Sequence, residues 1–234
     1  MKTIEKISVR FFLNKNVKPL HIPLLGDSDF YPLYVQVTFR RKNTQFRSLY
    51  QRQYLNIEEA FNQDRNNLNY EKIIIQQVVE FEVKTKGERF KVIGLKERYK
   101  NYTTEVGFSV KKYLRITLLA SLKQSNSEYL MIIDPTSNWE APIRLYYNAS
   151  LKLINNFETF LPTNFKKDIN TAEEFMRWSE KKKVSPLLIQ WLNGSLKVEF
   201  KTFLQKKGNS ESLIHEKLDL ITKTVVFSEE NELV

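Results

Sequence analysis

Tyr31-Pro32-Leu33-Tyr34-Val35-Gln36-Val37-Thr38-Phe39-Arg40-Arg41 alternates apolar and polar side chains along its length. Period 2 with β-branched and aromatic residues is the signature of a half-buried strand. One face carries Leu33, Val35, Val37 and Phe39, and the other Tyr34, Gln36, Thr38 and Arg40. Upstream, Lys6 to Asn14 repeats the pattern, with Ile7, Val9, Phe11 and Leu13 against Ser8, Arg10, Phe12 and Asn14. Residues 15–30 hold Pro19, Pro23, Gly26 and Asp27 and read as a loop. Downstream, Lys42-Asn43 suits a tight turn, because Asn tolerates positive φ, and Thr44 to Tyr50 makes a third strand.

Beyond residue 56 the spacing becomes helical. Asn69 to Lys86, closed by Gly87, repeats Ile74, Ile75, Val78, Val79 and Phe81, although its Ile-Val density also suits a strand. Residues 95–102 and 109–124 read as helices, and Asp134-Pro135-Thr136-Ser137-Asn138 as a domain boundary. Pro142 opens a helix to about Phe160, with Leu145, Tyr146, Leu153, Ile154 and Phe157 inward. Thr171-Ala172-Glu173-Glu174 has the form of a capping box opening another helix. Ser185-Pro186 opens one that runs to about Lys207 and Gly208, and Ser210 to Thr222 makes the last. The expected fold class is α+β: an N-terminal three-stranded antiparallel sheet backed by a helix, then a mainly helical C-terminal region. The expected divisions are 1–134, a helical bundle at 139–228 and an acidic tail at 229–234.

Charge points to a partner. The 234 residues hold 37 Lys and Arg against 27 Asp and Glu, a formal +10. Residues 1–57 hold ten basic groups against three acidic ones, so a quarter of the chain carries most of the surplus. A concentrated basic face captures polyanions, though Lys-rich surfaces are also common solvated faces. The polar face of the predicted sheet gathers Arg10, Phe12, Tyr34, Gln36 and Arg40, with Gln45 and Arg47 from the third strand. Arg matches guanine N7 and O6, Gln matches adenine, and flanking Arg41 and Lys42 suit phosphates. An ordinary half-exposed sheet with aromatics in cross-strand pairs gives the same pattern.

The composition argues against several chemistries. With no Cys there is no disulfide, zinc-thiolate or thiol nucleophile, and two His make a His-built metal centre improbable. Six Gly leave no Gly-rich phosphate loop. His215 near Glu211 and Glu216 is better explained as a surface residue than as a base, and no cofactor is expected. The adjacent pairs Glu58-Glu59, Glu173-Glu174 and Glu229-Glu230 diverge on a helix instead of converging on a metal. Lys181-Lys182-Lys183 suits a solvated helix end or a phosphate contact. No run of about 18 apolar residues is present, and Met1 to Lys6 lacks the apolar core of a secretory signal. The expectation is a cytoplasmic, non-enzymatic protein with no membrane partner.

The run Val9-Arg10-Phe11-Phe12-Leu13, then Tyr31-Pro32-Leu33-Tyr34-Val35-Gln36-Val37-Thr38, a basic turn and Gln45-Phe46-Arg47-Ser48 resembles the arm-binding domain of Bacteroidetes tyrosine recombinases. The likeness covers about residues 5–50 and implies a three-stranded sheet, backed by one helix, placed in the major groove of double-stranded DNA. Phe175-Met176-Arg177-Trp178 and Lys181-Lys182-Lys183-Val184-Ser185-Pro186 are more loosely similar to that family's core-binding domain. The catalytic pattern is missing. His21-Ile22-Pro23-Leu24 and His215-Glu216-Lys217-Leu218 do not provide the family's His-x-x-Arg step. The resemblance therefore implies DNA binding without recombination, as in an accessory protein of a mobile element or phage that works with other proteins of a nucleoprotein complex. A structural or assembly subunit and an RNA-binding protein that stacks bases on Phe12 and Tyr34 are the alternatives.

Overall fold

A computed structural model describes residues 6–21, 28–50, 52–125, 128–182 and 185–230. Positions 22–27 of the predicted loop, Lys183 of the basic run and the acidic tail beyond residue 230 lie outside them. The chain is α+β and divides into two compact units, 1–103 and 104–234. The division does not fall at Asp134–Asn138. That run lies within the second unit, where Asp134 Oδ1 accepts the Thr136 N–H at 2.8 Å and closes a local turn.

The first unit is a sheet under a long helix. Its centre is β3 (Asp29–Phe39), flanked antiparallel by β1 (Ser8–Leu13) and β4 (Lys42–Arg47). Two short strands, β2 (Leu20–His21) and β5 (Gln53–Tyr54), pair with the start of β3, so the three predicted strands become five among the described residues. Phe11, Leu33, Val35, Val37, Phe39 and Phe46 form the buried face. Helix α1 (Ile57–Lys86) covers it, beginning twelve residues earlier than the apolar spacing predicted. The sequence of its first three turns is mostly polar, and only Ala60, Asp64 and Leu68 are buried there. Asn56 caps it, its Oδ1 accepting the Glu59 N–H at 2.8 Å. Gly87 ends it at φ 57°, a conformation that suits a residue without Cβ.

Three carboxylates share the inward stripe of α1. Glu71, 1% exposed, accepts from Ser48 Oγ at 2.5 Å, the Leu49 N–H at 2.8 Å and Tyr99 Oη at 3.1 Å. These bonds tie the segment after β4 to α1 and to α2 (Leu95–Tyr102). Asp64 sits where α1 kinks and accepts from Tyr54 Oη at 2.6 Å and Arg52 Nη1 at 3.0 Å. Glu82 pairs with Lys86 and Arg98, each at 2.8 Å.

The second unit is helical: α3 (Val106–Gln124), α4 (Ile143–Leu153), α5 (Phe165–Ser179), α6 (Leu188–Leu192), α7 (Ser195–Lys206) and α8 (Glu211–Glu230). Phe175, Trp178, Trp191 and Phe200 interlock at its centre, with Phe175 edge-on to Trp191 and Phe200. Buried Arg115 holds the 135–141 segment, donating to the carbonyls of Pro135, Trp139 and Ala141.

Several helix boundaries differ from the reading. Thr171 is buried in the middle of α5 instead of capping it, because Phe165 and Ile169 extend the apolar stripe upstream. Glu173 instead pairs with Arg144 at 2.7 Å. Leu145 and Leu153 are 60% and 43% exposed, and Tyr147 and Phe157 fill the core from that segment. The helix expected from Ser185 breaks at Gly194, φ 91°, into α6 and α7. Helix α8 reaches Glu230, so the first two tail residues are helical.

Removing the Glu71 carboxylate strands the buried Ser48 and Tyr99 hydroxyls and the half-buried Leu49 N–H, each worth roughly 1 kcal/mol. Glu71→Ala is expected to destabilise the first unit by about 3 kcal/mol, measured by amide exchange across β3 and α1, with the α3 and α5 amides unchanged. Hydrogen bonds, foremost from Tyr54, hold the Asp64 carboxyl below its ordinary value of 3.8. Its contribution is therefore complete above that value and is lost as pH falls through the lower folded value. Asp64→Asn is expected to lower stability at neutral pH and to flatten the fall in stability below about pH 4.

Candidate nucleic-acid interface

Strand parity builds the site. With Phe11, Val35, Val37 and Phe46 turned to the helix, alternate residues of β1, β3 and β4 face away from it. The register aligns them in three cross-strand rows: Ser8–Thr38–Asn43, Arg10–Gln36–Gln45 and Phe12–Tyr34–Arg47. Rows repeat about every 7 Å along the strands, and neighbouring strands lie about 4.8 Å apart. Arg10, Gln45 and Arg47 are exposed, while Phe12, Tyr34 and Gln36 are half-buried. Phe12 and Tyr34 pack on each other with ring centroids 6.0 Å apart and planes at 48°. Gln45 Nε2 donates to Gln36 Oε1 at 2.9 Å.

Arg10, Phe12, Tyr34, Gln36 and Arg47 therefore come together as the alternation predicts. Arg40, Arg41 and Lys42 do not join them. Phe39 pairs with Lys42, which leaves Arg40-Arg41 as a two-residue hairpin loop, so the turn is not at Lys42-Asn43. Arg40 leaves the polar row and turns its guanidinium over the Phe39 ring, 5.0 Å from the centroid. Lys42, exposed at the start of β4, has the strand parity of Thr44 and Phe46. Asn43 takes the open-face position that the turn assignment missed. Counting back by twos from Arg47 finds it.

The hairpin tip is strained. Arg40 and Arg41 both have positive φ, 50° and 62°. A two-residue loop of this kind favours Asn-Gly, and each side chain with a Cβ costs roughly 1 kcal/mol there. Two arginines held against turn propensity put charge at the outermost point of the sheet. Strain of this sort is characteristic of functional segments.

Electrostatics strengthens the asymmetry seen in the sequence. The first unit holds 19 Lys and Arg against 11 Asp and Glu, the second 18 against 16. Three of those 11 acids, Asp64, Glu71 and Glu82, are buried under the sheet, and their ion pairs are with Arg52, Lys86 and Arg98 instead of Arg10 or Arg47.

The second unit has a cleft of about 830 Å³ lined by Tyr113, Lys167, Asp168, Glu174, Lys217 and Lys223. Its charges engage one another: Lys217 lies 2.6 Å from Glu174. Burial pushes the Asp168 carboxyl up, and a hydrogen bond with Tyr113 pushes the Lys223 amine up. Lys182 pairs with Glu199 and covers the Trp178 ring at 4.8 Å. His215, well exposed, lies 3.4 Å from Asp219. Among the described residues no group of three or more His, Asp or Glu is placed to hold a metal ion, and no helix is long and apolar enough to cross a membrane.

No protein-family model, curated protein or solved structure matches the chain.

Relieving the turn provides a direct check on the strain. Arg40→Asn/Arg41→Gly is expected to raise unfolding stability by roughly 1–2 kcal/mol in a denaturant titration, since Asn and Gly adopt positive φ at less cost.

Proposed function

We propose that the open sheet face binds duplex DNA and that the chain is a non-enzymatic DNA-binding accessory protein of a mobile element or phage. The observation that carries this reading is the alignment of Arg10, Gln36, Gln45 and Arg47 on one uncovered sheet face in the more basic unit. The likeness of residues 5–50 to arm-binding domains supports it. The outer strands stand about 10 Å apart, commensurate with a major groove about 12 Å wide. Arg10 and Arg47 supply guanidinium forks for guanine edges, and the glutamines supply carboxamides. Arg41 and Lys42, at the projecting tip, contact phosphates and fix the sheet's register on the duplex.

Single-stranded RNA fits this face less well. Phe12 and Tyr34 pack against each other, which leaves less free ring surface for base stacking.

Arg10→Ala/Arg47→Ala is expected to weaken binding to a preferred duplex by at least tenfold at physiological salt, measured by fluorescence anisotropy. Arg41→Ala is expected to weaken every duplex alike and to lower the salt slope by about one unit. Arg40→Asn/Arg41→Gly is expected to lose affinity while gaining stability, an opposition that separates a binding role from a folding role. Unchanged duplex binding in the Arg10→Ala/Arg47→Ala variant contradicts the reading. Stronger binding to single-stranded RNA than to duplex favours the RNA alternative.

A further inference from the structure

A slot of about 300 Å³ lies between α3, α5 and the 140–143 segment, wholly within the second unit. Val110 and Leu114 of α3, Ala172 and Met176 of α5, and Ile143 give it apolar walls. Its volume is at the small end of ligand sites, which pair an apolar lining with a few placed polar groups.

Arg115 is the buried polar group of that lining, 1% exposed. Its Nη atoms donate to the carbonyls of Pro135, Trp139 and Ala141, and its guanidinium lies 5.2 Å and 5.4 Å from the ring centroids of Trp139 and Tyr146. Carbonyl dipoles and ring faces attract a cation, but they leave its net charge in place. Among the described residues no carboxylate pairs with Arg115. Of the acids beside it, Glu173 is paired with Arg144 at 2.7 Å, and Glu140 is exposed. The Arg115 Nε–H is buried without a partner, and a buried donor left so is costly. One side chain thus brings an unneutralised charge and an unused donor to an apolar slot.

A singly charged anion with a compact apolar body answers both. A carboxylate neutralises a guanidinium and accepts its N–H in a charge-assisted bond, while the body takes the apolar volume. A phosphate brings more charge and more oxygens than this lining has donors for, so it stays hydrated.

We infer that the slot between α3 and α5 binds a small monocarboxylic acid, with the carboxylate against Arg115 and the apolar body among Val110, Leu114, Ala172 and Met176. This site is separate from the open sheet face and does not depend on duplex binding.

Titration of the full-length protein with benzoate, followed through its methyl chemical shifts, tests the assignment. Benzoate is expected to shift the methyls of Val110, Leu114, Ala172 and Met176 saturably, with a dissociation constant near about 1 mM, as suits so small a ligand. Benzyl alcohol, which keeps the ring and lacks the charge, is expected to bind roughly tenfold or more weakly. Inorganic phosphate is expected to leave those methyls unmoved. Ala172→Leu fills the slot without removing any group that Arg115 bonds, and is expected to abolish benzoate binding. Lys111→Ala/Arg177→Ala removes the other two cations of the lining and is expected to keep the preference for acid over alcohol. Equal affinity for benzoate and benzyl alcohol overturns the inference, as do benzoate shifts that avoid the slot or persist in Ala172→Leu. Phosphate binding as tight as benzoate, or a preference lost with Lys111 and Arg177, overturns it as well. The comparison of acid with alcohol uses the wild-type chain, so the inference stays falsifiable whether or not a variant folds.

Discussion

The Glu71 carboxylate, buried between sheet and helix, is the interaction on which the first unit depends. A charge-bearing group taken out of water is costly unless its lone pairs are met, and here one side chain meets a serine hydroxyl, a backbone N–H and a tyrosine hydroxyl. Burial pushes its carboxyl up, and the hydrogen bonds from Ser48, Leu49 and Tyr99 oppose that shift. Because those partners come from the end of β4 and from α2, α1 can lie over the sheet in only one register. Asp64 and Glu82 repeat the device toward either end of the same helical stripe. Apolar area drives the helix onto the sheet, and the three acids specify how it lies there.

One helix covers one face. The other face, with its rows of Arg, Gln, Asn and aromatic residues, stays open, and the three buried acids lie on the opposite side of the sheet, under α1. The same geometry accounts for the hairpin. Inward Phe39 and Lys42 parity forces a two-residue loop, and the sequence fills it with arginines that the loop conformation disfavours. Charge at the tip is thus retained at the expense of local stability. The second unit has no such imbalance: its acids and bases pair with one another, and its coherence comes from the interlocked rings around Phe175 and Phe200 and from Arg115 holding the 135–141 segment.

Much of this was legible because strands report their own faces. Alternation in Lys6–Asn14 and Tyr31–Arg41 assigned Arg10, Phe12, Tyr34 and Gln36 correctly, since a period of 2 leaves no freedom once Val35 is inward. The turn was misplaced by two residues because Asn43 is the better turn former, yet register from Phe46 outweighs local preference. Helix starts failed for a related reason. Residues 57–68 look polar and Thr171–Glu174 looks like a cap, but both lie inside helices fixed by a few distant contacts: Asp64 with Tyr54, and Phe165 and Ile169 with the core. The pairing of Gln36 with Gln45 depends on strand register and was not visible from either residue alone.

The central claim is that the face turned away from α1 is the face that binds. Amide chemical-shift mapping of the full-length protein during titration with a duplex tests it most directly. The account predicts progressive shifts at residues 8–12, 34–38 and 41–47, with the inward stripe of α1 and the Trp191 indole unmoved. Shifts centred on α1, or confined to the second unit, would contradict it.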